Sequence, residues 1–186
     1  MGLDLVEFAI AVEDAFELPI PDADWESLRT PRAVIDYLES RLAVTASAPP
    51  VVQTSFYRLR RAVASELRRP RRDIGPSTAL AELVVDRPIS DVTRAVAARL
   101  GLEPRDLSHS PVRGALSHLR LAPPRTLGAV AEELAMLRPA KMRPKHSGWT
   151  RAQITEIVLK LLEHETGIDR ARVSLDSDFI RDLGMG

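Results

Sequence analysis

The chain has 186 residues, enough for one large domain or two small ones with cores of their own. Hydrophobic residues make up 45% and charged residues 28%, which excludes an intrinsically disordered chain, and with aromatics at 4% the core must be aliphatic. The formal net charge is zero and there is no cysteine, which excludes a disulfide framework and thiolate chemistry.

The zero net charge hides a segregation. Residues 1–43 carry 3 Lys/Arg against 10 Asp/Glu, residues 150–186 carry 5 against 7, and residues 44–149 carry 18 against 9. Two acidic ends thus flank a basic middle, which marks separate domains with different partners or domains that attract one another.

In chain order, Leu5, Phe8, Ala9, Val12 and Phe16 recur at three- and four-residue intervals and predict an amphipathic helix, with Glu7, Glu13 and Asp14 off its apolar stripe. Pro19 and Pro21 stop it near Leu18. Thr30 followed by Pro31 is an N-cap and first-turn signature, opening a helix with Val34, Ile35, Leu38 and Leu42 inward. TASAPPVV (45–52) has linker composition. The middle opens with SFYRLRRAVASELRRPRRDIGPSTALAEL, shaped as a helix, a basic loop and a Pro-Ser-Thr turn. Further on, Ile89, Val92, Val96 and Leu100 repeat the spacing of the first helix, and RTLGAVAEEL (125–134) matches RTPRAVIDYL (29–38) in register. RPAKMRPKHSG (138–148) reads as a second linker. Thr150 then caps a long helix whose apolar face is Ile154, Ile157, Val158, Leu161 and Leu162, ended by Gly167. IDRARVSLDSDFIRDLG follows as a loop anchored by Ile168, Val173, Leu175 and Phe179.

LDLVEFAIAVEDAFELPIPDADWESLRTPRAVIDYL resembles the second half of an acyl carrier protein, with its partner-recognition helix, FGIEIPD-like turn and T-x-x-x-V-x-x-x-L final helix. TRAQITEIVLKLLEHETGIDRARVSLDSDFIRDLG is similar to the first half of that family: the long first helix, the I-D-x-x-x-V loop, and F-x-x-D-L-G just before the prosthetic-group site. The halves stand in swapped order. Segments this short rarely bury enough surface to fold alone. The expectation is an all-α protein: an acidic, circularly permuted carrier-like four-helix bundle made of residues 1–43 with 150–186, joined by linkers 44–52 and 138–149 to a basic helical domain at 53–137. That domain reads as a degenerate carrier-like copy, the alternative being an unrelated helical domain. Closure within one molecule gives a monomer and closure between molecules a domain-swapped dimer; a stretch cut from a longer tandem protein is the alternative to permutation.

In the carrier family a serine at the start of the second helix bears the 4'-phosphopantetheine arm, where a helix N-terminus favours the phosphate. The resemblance puts Gly2 at that position, beside Gly186, and the middle copy has Asp86 there with Ser90 beyond as a weak alternative. The expectation is therefore no cofactor. A non-catalytic interaction module follows, docking basic partner surfaces or the chain's own basic domain through Asp4, Glu7, Glu13 and Asp14. The alternative is a working acyl or peptidyl carrier with 4'-phosphopantetheine. Arg58, Arg61, Arg68, Arg69, Arg71 and Arg72 supply the basic surface. A third reading, an Arg-rich nucleic-acid binder, is disfavoured because only Phe56 and Tyr57 precede Trp149 as stacking residues in the middle. His109, His118, His146 and His164 lack metal-site spacing, and no G-x-S-x-G or P-loop is present, so an enzyme is not expected. No apolar run approaches the roughly 18 residues of a membrane span and no leader pattern opens the chain, so the expected location is the cytoplasm, with no membrane partner.

Overall fold

The structure is a computed structural model that describes residues 2–84, 87–108 and 125–186. Its described residues are all-α, with the helices α1 (Leu3–Phe16), α2 (Asp22–Trp25), α3 (Pro31–Arg41), α4 (Val51–Leu67), α5 (Leu80–Leu83), α6 (Ile89–Leu100), α7 (Pro104–Ser108), α8 (Leu127–Leu137), α9 (Pro139–Met142) and α10 (Arg151–Thr166). The extended pairings among these residues are the isolated bridges Val44–Trp149 and Ala79–Thr126. The chain divides into two compact units, Met1–Pro49 with Pro144–Gly186, and Pro50–Arg143.

In the first unit α10 packs against both α1 and α3. The reason is visible in their apolar stripes. Leu5, Phe8, Val12 and Phe16 of α1, Val34, Ile35 and Leu38 of α3, and Ile154, Ile157, Val158, Leu161 and Leu162 of α10 are all buried, so each helix hides its stripe against the others. The few aromatics join this core at defined angles. The Phe8 ring lies 5.4 Å from Phe179 and 6.4 Å from Trp25, and Phe16 lies 4.9 Å from Trp149. Thr30 caps α3 by accepting the Ala33 N–H, with Pro31 in the first turn. Thr150 and Gln153 form a reciprocal capping box on α10, which Gly167 ends in the left-handed conformation at φ 69°. The first helix stops at Phe16, two residues before the expected end, because Glu17 itself takes the left-handed cap at φ 51°.

The second unit is built on α4, which packs against α6, α8 and α9. Its core is aliphatic, with Leu59, Val63, Ile74, Val96, Leu127, Leu134 and Met142 at the centre. Asp106 of α7 pairs at 3.1 Å with Arg138, while Arg125 binds both the Leu107 carbonyl and Glu133, tying α7 to α8. Residues 139–142, inside the stretch 138–149 expected to be linker, form α9. Its Pro139 and Met142 are buried, so two apolar residues outweigh the Pro- and Lys-rich composition around them. The other expected linker also contributes structure, since Val51 and Val52 start α4.

One set of backbone bonds occurs in both units, with residues 71–80 answering to residues 170–179 and residues 125–126 answering to residues 29–30. The Thr78 N–H donates to Gly75 O at 3.2 Å as the Ser177 N–H does to Ser174 O at 3.2 Å, and the Ile74 N–H to Arg71 O as the Val173 N–H to Arg170 O. The hydroxyls of Thr78 and Ser177 accept the N–H groups of Gly75 and Ser174 in turn. The Leu80 N–H reaches Arg125 O at 2.9 Å where the Phe179 N–H reaches Arg29 O at 3.0 Å. Thr126 caps α8 through the Ala129 N–H, as Thr30 caps α3.

Candidate functional site

The start of α1 and the last residues of the chain meet in the first unit. Gly2 precedes the helix in extended conformation with no side-chain cap, and its carbonyl accepts the Val6 N–H at 3.1 Å. A Cβ placed on Gly2 would fall 2.2 Å from the Gly186 carbonyl carbon and 2.5 Å from its oxygen. No side chain fits there unless the last residue moves. Behind Gly186 the chain is held firmly: Gly184 turns at φ 72°, Met185 is buried, and its N–H donates to Phe179 O at 2.9 Å.

Asp178 organises this turn. Its carboxylate accepts the Arg181 N–H at 2.9 Å, the Ile180 N–H at 3.1 Å and Arg29 Nε at 3.1 Å. Those donors, led by the Arg181 N–H and including the Arg29 guanidinium, stabilise the ionised form against burial and hold its pKa down at about 2. Arg32 grips Asp176 with two hydrogen bonds, 2.6 and 2.9 Å, so two arginines at the start of α3 fasten the loop that leads to the junction. Alongside lies a groove of about 240 Å³ lined by Leu5, Trp25, Leu28, Phe179 and Ile180, with Arg29 and Asp178 at its polar edge.

The four acidic residues of α1 do not act as a set. Asp4, Glu7 and Asp14 are exposed, but Glu13 turns inward and accepts the Ile20 N–H at 2.7 Å, fixing the turn that follows the helix. The outward face of α1 also carries Leu3 at 71% exposure and Ile10 at 55%, so it is acidic and greasy together. Elsewhere in the unit Arg151 pairs with Asp36 and Glu39, neutralising α3 rather than α1. Among the described residues no ion pair is formed by Asp4 or Glu7.

The basic residues also separate. Arg58 donates to the Arg143 carbonyl at 3.0 Å and clamps α4 to the end of its unit. Arg61, Arg68, Arg69, Arg71 and Arg72 are exposed, with Arg72 3.6 Å from Asp73. Ser90 is exposed in the first turn of α6, and Asp86 lies outside the described residues, as do His109 and His118. His146 and His164 belong to no cluster of three metal-ligating side chains among the described residues. No described helix is long and apolar enough to cross a membrane.

Two features of these sites escaped the sequence reading. Asp178 sits in D-S-D-F-I-R-D, where an Asp followed at two and three positions by free N–H donors is an Asx-turn pattern that could have been found. The arginines at 87 and 99 are far apart in sequence, and both reach Glu66, at 3.0 and 3.2 Å. No local pattern announces that pairing.

Comparison with known proteins places part of this chain near the acyl carriers. A stretch of 42 residues is 49% identical to an acyl carrier protein of Syntrophobacter fumaroxidans, covering 23% of this chain and 52% of that protein. A stretch of 40 residues is 49% identical to an acyl carrier protein of Bdellovibrio bacteriovorus, covering 22% of this chain and 51% of that protein. The chain thus spans about half the length of the curated relatives it matches. No family model matches it, and no solved structure matches it either. The described residues are all-α, and the chain contains an acyl-carrier-protein-like region.

Proposed function

We propose that the first unit is a circularly permuted carrier-type bundle that serves as a non-catalytic interaction module without a phosphopantetheine arm. The observation that carries this reading is the junction: Gly2 stands at the head of α1 with Gly186 against it, and neither has a hydroxyl to take up a phosphate ester. The carrier-like halves, swapped in sequence order, bury their stripes against each other in this unit, which supports permutation. The shared bonds around Gly75–Thr78 and Ser174–Ser177 support reading the second unit as a degenerate copy of the same fold.

Docking falls to the outward face of α1. Asp4, Glu7 and Asp14 attract a basic patch and speed encounter, and Leu3 and Ile10 supply apolar area that a solvated charged face would lack. Glu13 is left out of the docking set because its carboxylate serves the turn at Ile20.

Intact mass spectrometry after incubation with coenzyme A and a broad-specificity phosphopantetheinyl transferase tests the missing arm. The expected result is an unchanged mass. Addition of one phosphopantetheine group, at Ser90 or elsewhere, overturns the reading and makes the protein a working carrier.

A further inference from the structure

The solvent side of α4 is not an ordinary charged helix face. Phe56 with Arg60, and Tyr57 with Arg61, stand one turn apart in adjoining columns, and Val52 continues the first column back by another turn. Tyr57 is 46% exposed and Val52 42%, while Phe56 is half-buried and packs against the core of the unit. The Arg60 guanidinium lies over both rings, 5.3 Å from the centroid of Phe56 and 5.1 Å from that of Tyr57. Its Nε is buried and finds no hydrogen-bond partner among the described residues. No described carboxylate pairs with Arg60 or Arg61. Ring faces hold the cation in place and leave its charge uncompensated.

The equivalent helix of the first unit shows the contrast. The match of residues 71–80 with 170–179, carried back along the chain, sets Tyr57 and Arg61 opposite Glu156 and Lys160 of α10. Those two pair with each other at 3.1 Å and neutralise their own surface. On α4 the same two places hold an aromatic ring and an unpaired cation. Aromatic side chains beside arginine are the composition of a protein interface rather than of a solvated face.

The surface that fits such a face has carboxylates mixed with apolar side chains, and the chain carries one itself. Helix α1 has Asp4, Glu7, Glu13 and Asp14 and no basic residue, with Leu3 and Ile10 exposed among them. Neither face suits its own kind. Setting α1 on α1 opposes carboxylates, and setting α4 on α4 opposes guanidiniums.

We propose that copies of this chain associate head to tail, α1 of one molecule lying on the Val52, Tyr57 and Arg61 face of α4 of the next. Two different faces are used, so every pair keeps one free face at each end and assembly grows with concentration instead of stopping at a dimer. The proposal rests on reading α1 as the docking face, and it adds the partner and the surface that receives it.

Sedimentation equilibrium of the full chain tests it. The average mass should rise above one chain between about 10 μM and about 1 mM, the range of weak interfaces, and return to one chain as salt goes from about 0.05 to about 0.5 M. Tyr57→Ala should weaken association about tenfold. Asp4→Lys with Glu7→Lys, and Tyr57→Ala with Arg61→Glu, should each stay monomeric with an unchanged circular dichroism spectrum. An equal mixture of these two double variants should form one-to-one pairs, because each supplies one intact face. A natural chain that stays monomeric overturns the proposal and leaves the armless reading of the first unit standing. Association that the α4 variant abolishes and the α1 variant does not overturns both the proposal and the docking role of α1. A mixture that stays monomeric, or a single-stranded oligonucleotide that binds the natural chain and not the α4 variant, also overturns the proposal.

Discussion

Phe8→Ala probes the contact on which the first unit depends. Phe8 is fully buried on α1, and its ring meets Trp25 and, from the other end of the chain, Phe179. Truncation to alanine removes the whole ring and strips both neighbours of a packing partner, a loss of about 3–5 kcal/mol. With a urea dependence of about 2 kcal/mol per molar, the midpoint should fall by about 2 M. Tryptophan fluorescence is a selective reporter, because the only two tryptophans, Trp25 and Trp149, both lie in this unit. The fluorescence transition should move by that amount. A shift below about 0.5 M, equivalent to about 1 kcal/mol, would refute the claim that Phe8 packs in a core shared with Trp25 and Phe179.

Three further outcomes follow from single contacts. Thr150→Ala removes the capping box that starts α10 and should cost about 1 kcal/mol in the same fluorescence assay, with Thr150→Ser restoring most of it. Gly128→Ala places a methyl group 2.9 Å from the Pro76 backbone oxygen, so crowding should outweigh the helix-propensity gain of about 1 kcal/mol, and the helical melt by circular dichroism should move to lower temperature. Asp178 has a folded pKa of about 2, below its ordinary 3.8, so its contribution is present above the ordinary value and is lost as pH falls toward 2. Urea midpoints taken across that range should drop steeply for the natural chain and less steeply for Asp178→Asn.

The helices were legible in the sequence wherever an apolar stripe or a cap wrote them down: Leu5 to Phe16, Thr30 with Pro31, Thr150 with Gly167. Charge and proline content were poorer guides. They suggested a linker across 138–148, yet Pro139 and Met142 are buried there, because a single fully enclosed methionine can fix a short helix that composition does not reveal. The acidic stripe was readable as a pattern but not as a function, since only the fold shows that Glu13 faces the Ile20 amide while Glu7 faces water. Long-range pairings such as Arg32 with Asp176 and Glu66 with Arg99 depend on which elements meet, and one-dimensional spacing carries no trace of that.

The most direct test of the central claim is an isotope-filtered nuclear Overhauser experiment on the full chain, observing ring protons of Phe8 and Phe179. With centroids 5.4 Å apart the two rings should give strong cross-peaks, and these should arise within one molecule. Cross-peaks seen only between differently labelled molecules would contradict closure of the two ends on each other in a single chain, and their complete absence would contradict the shared core itself.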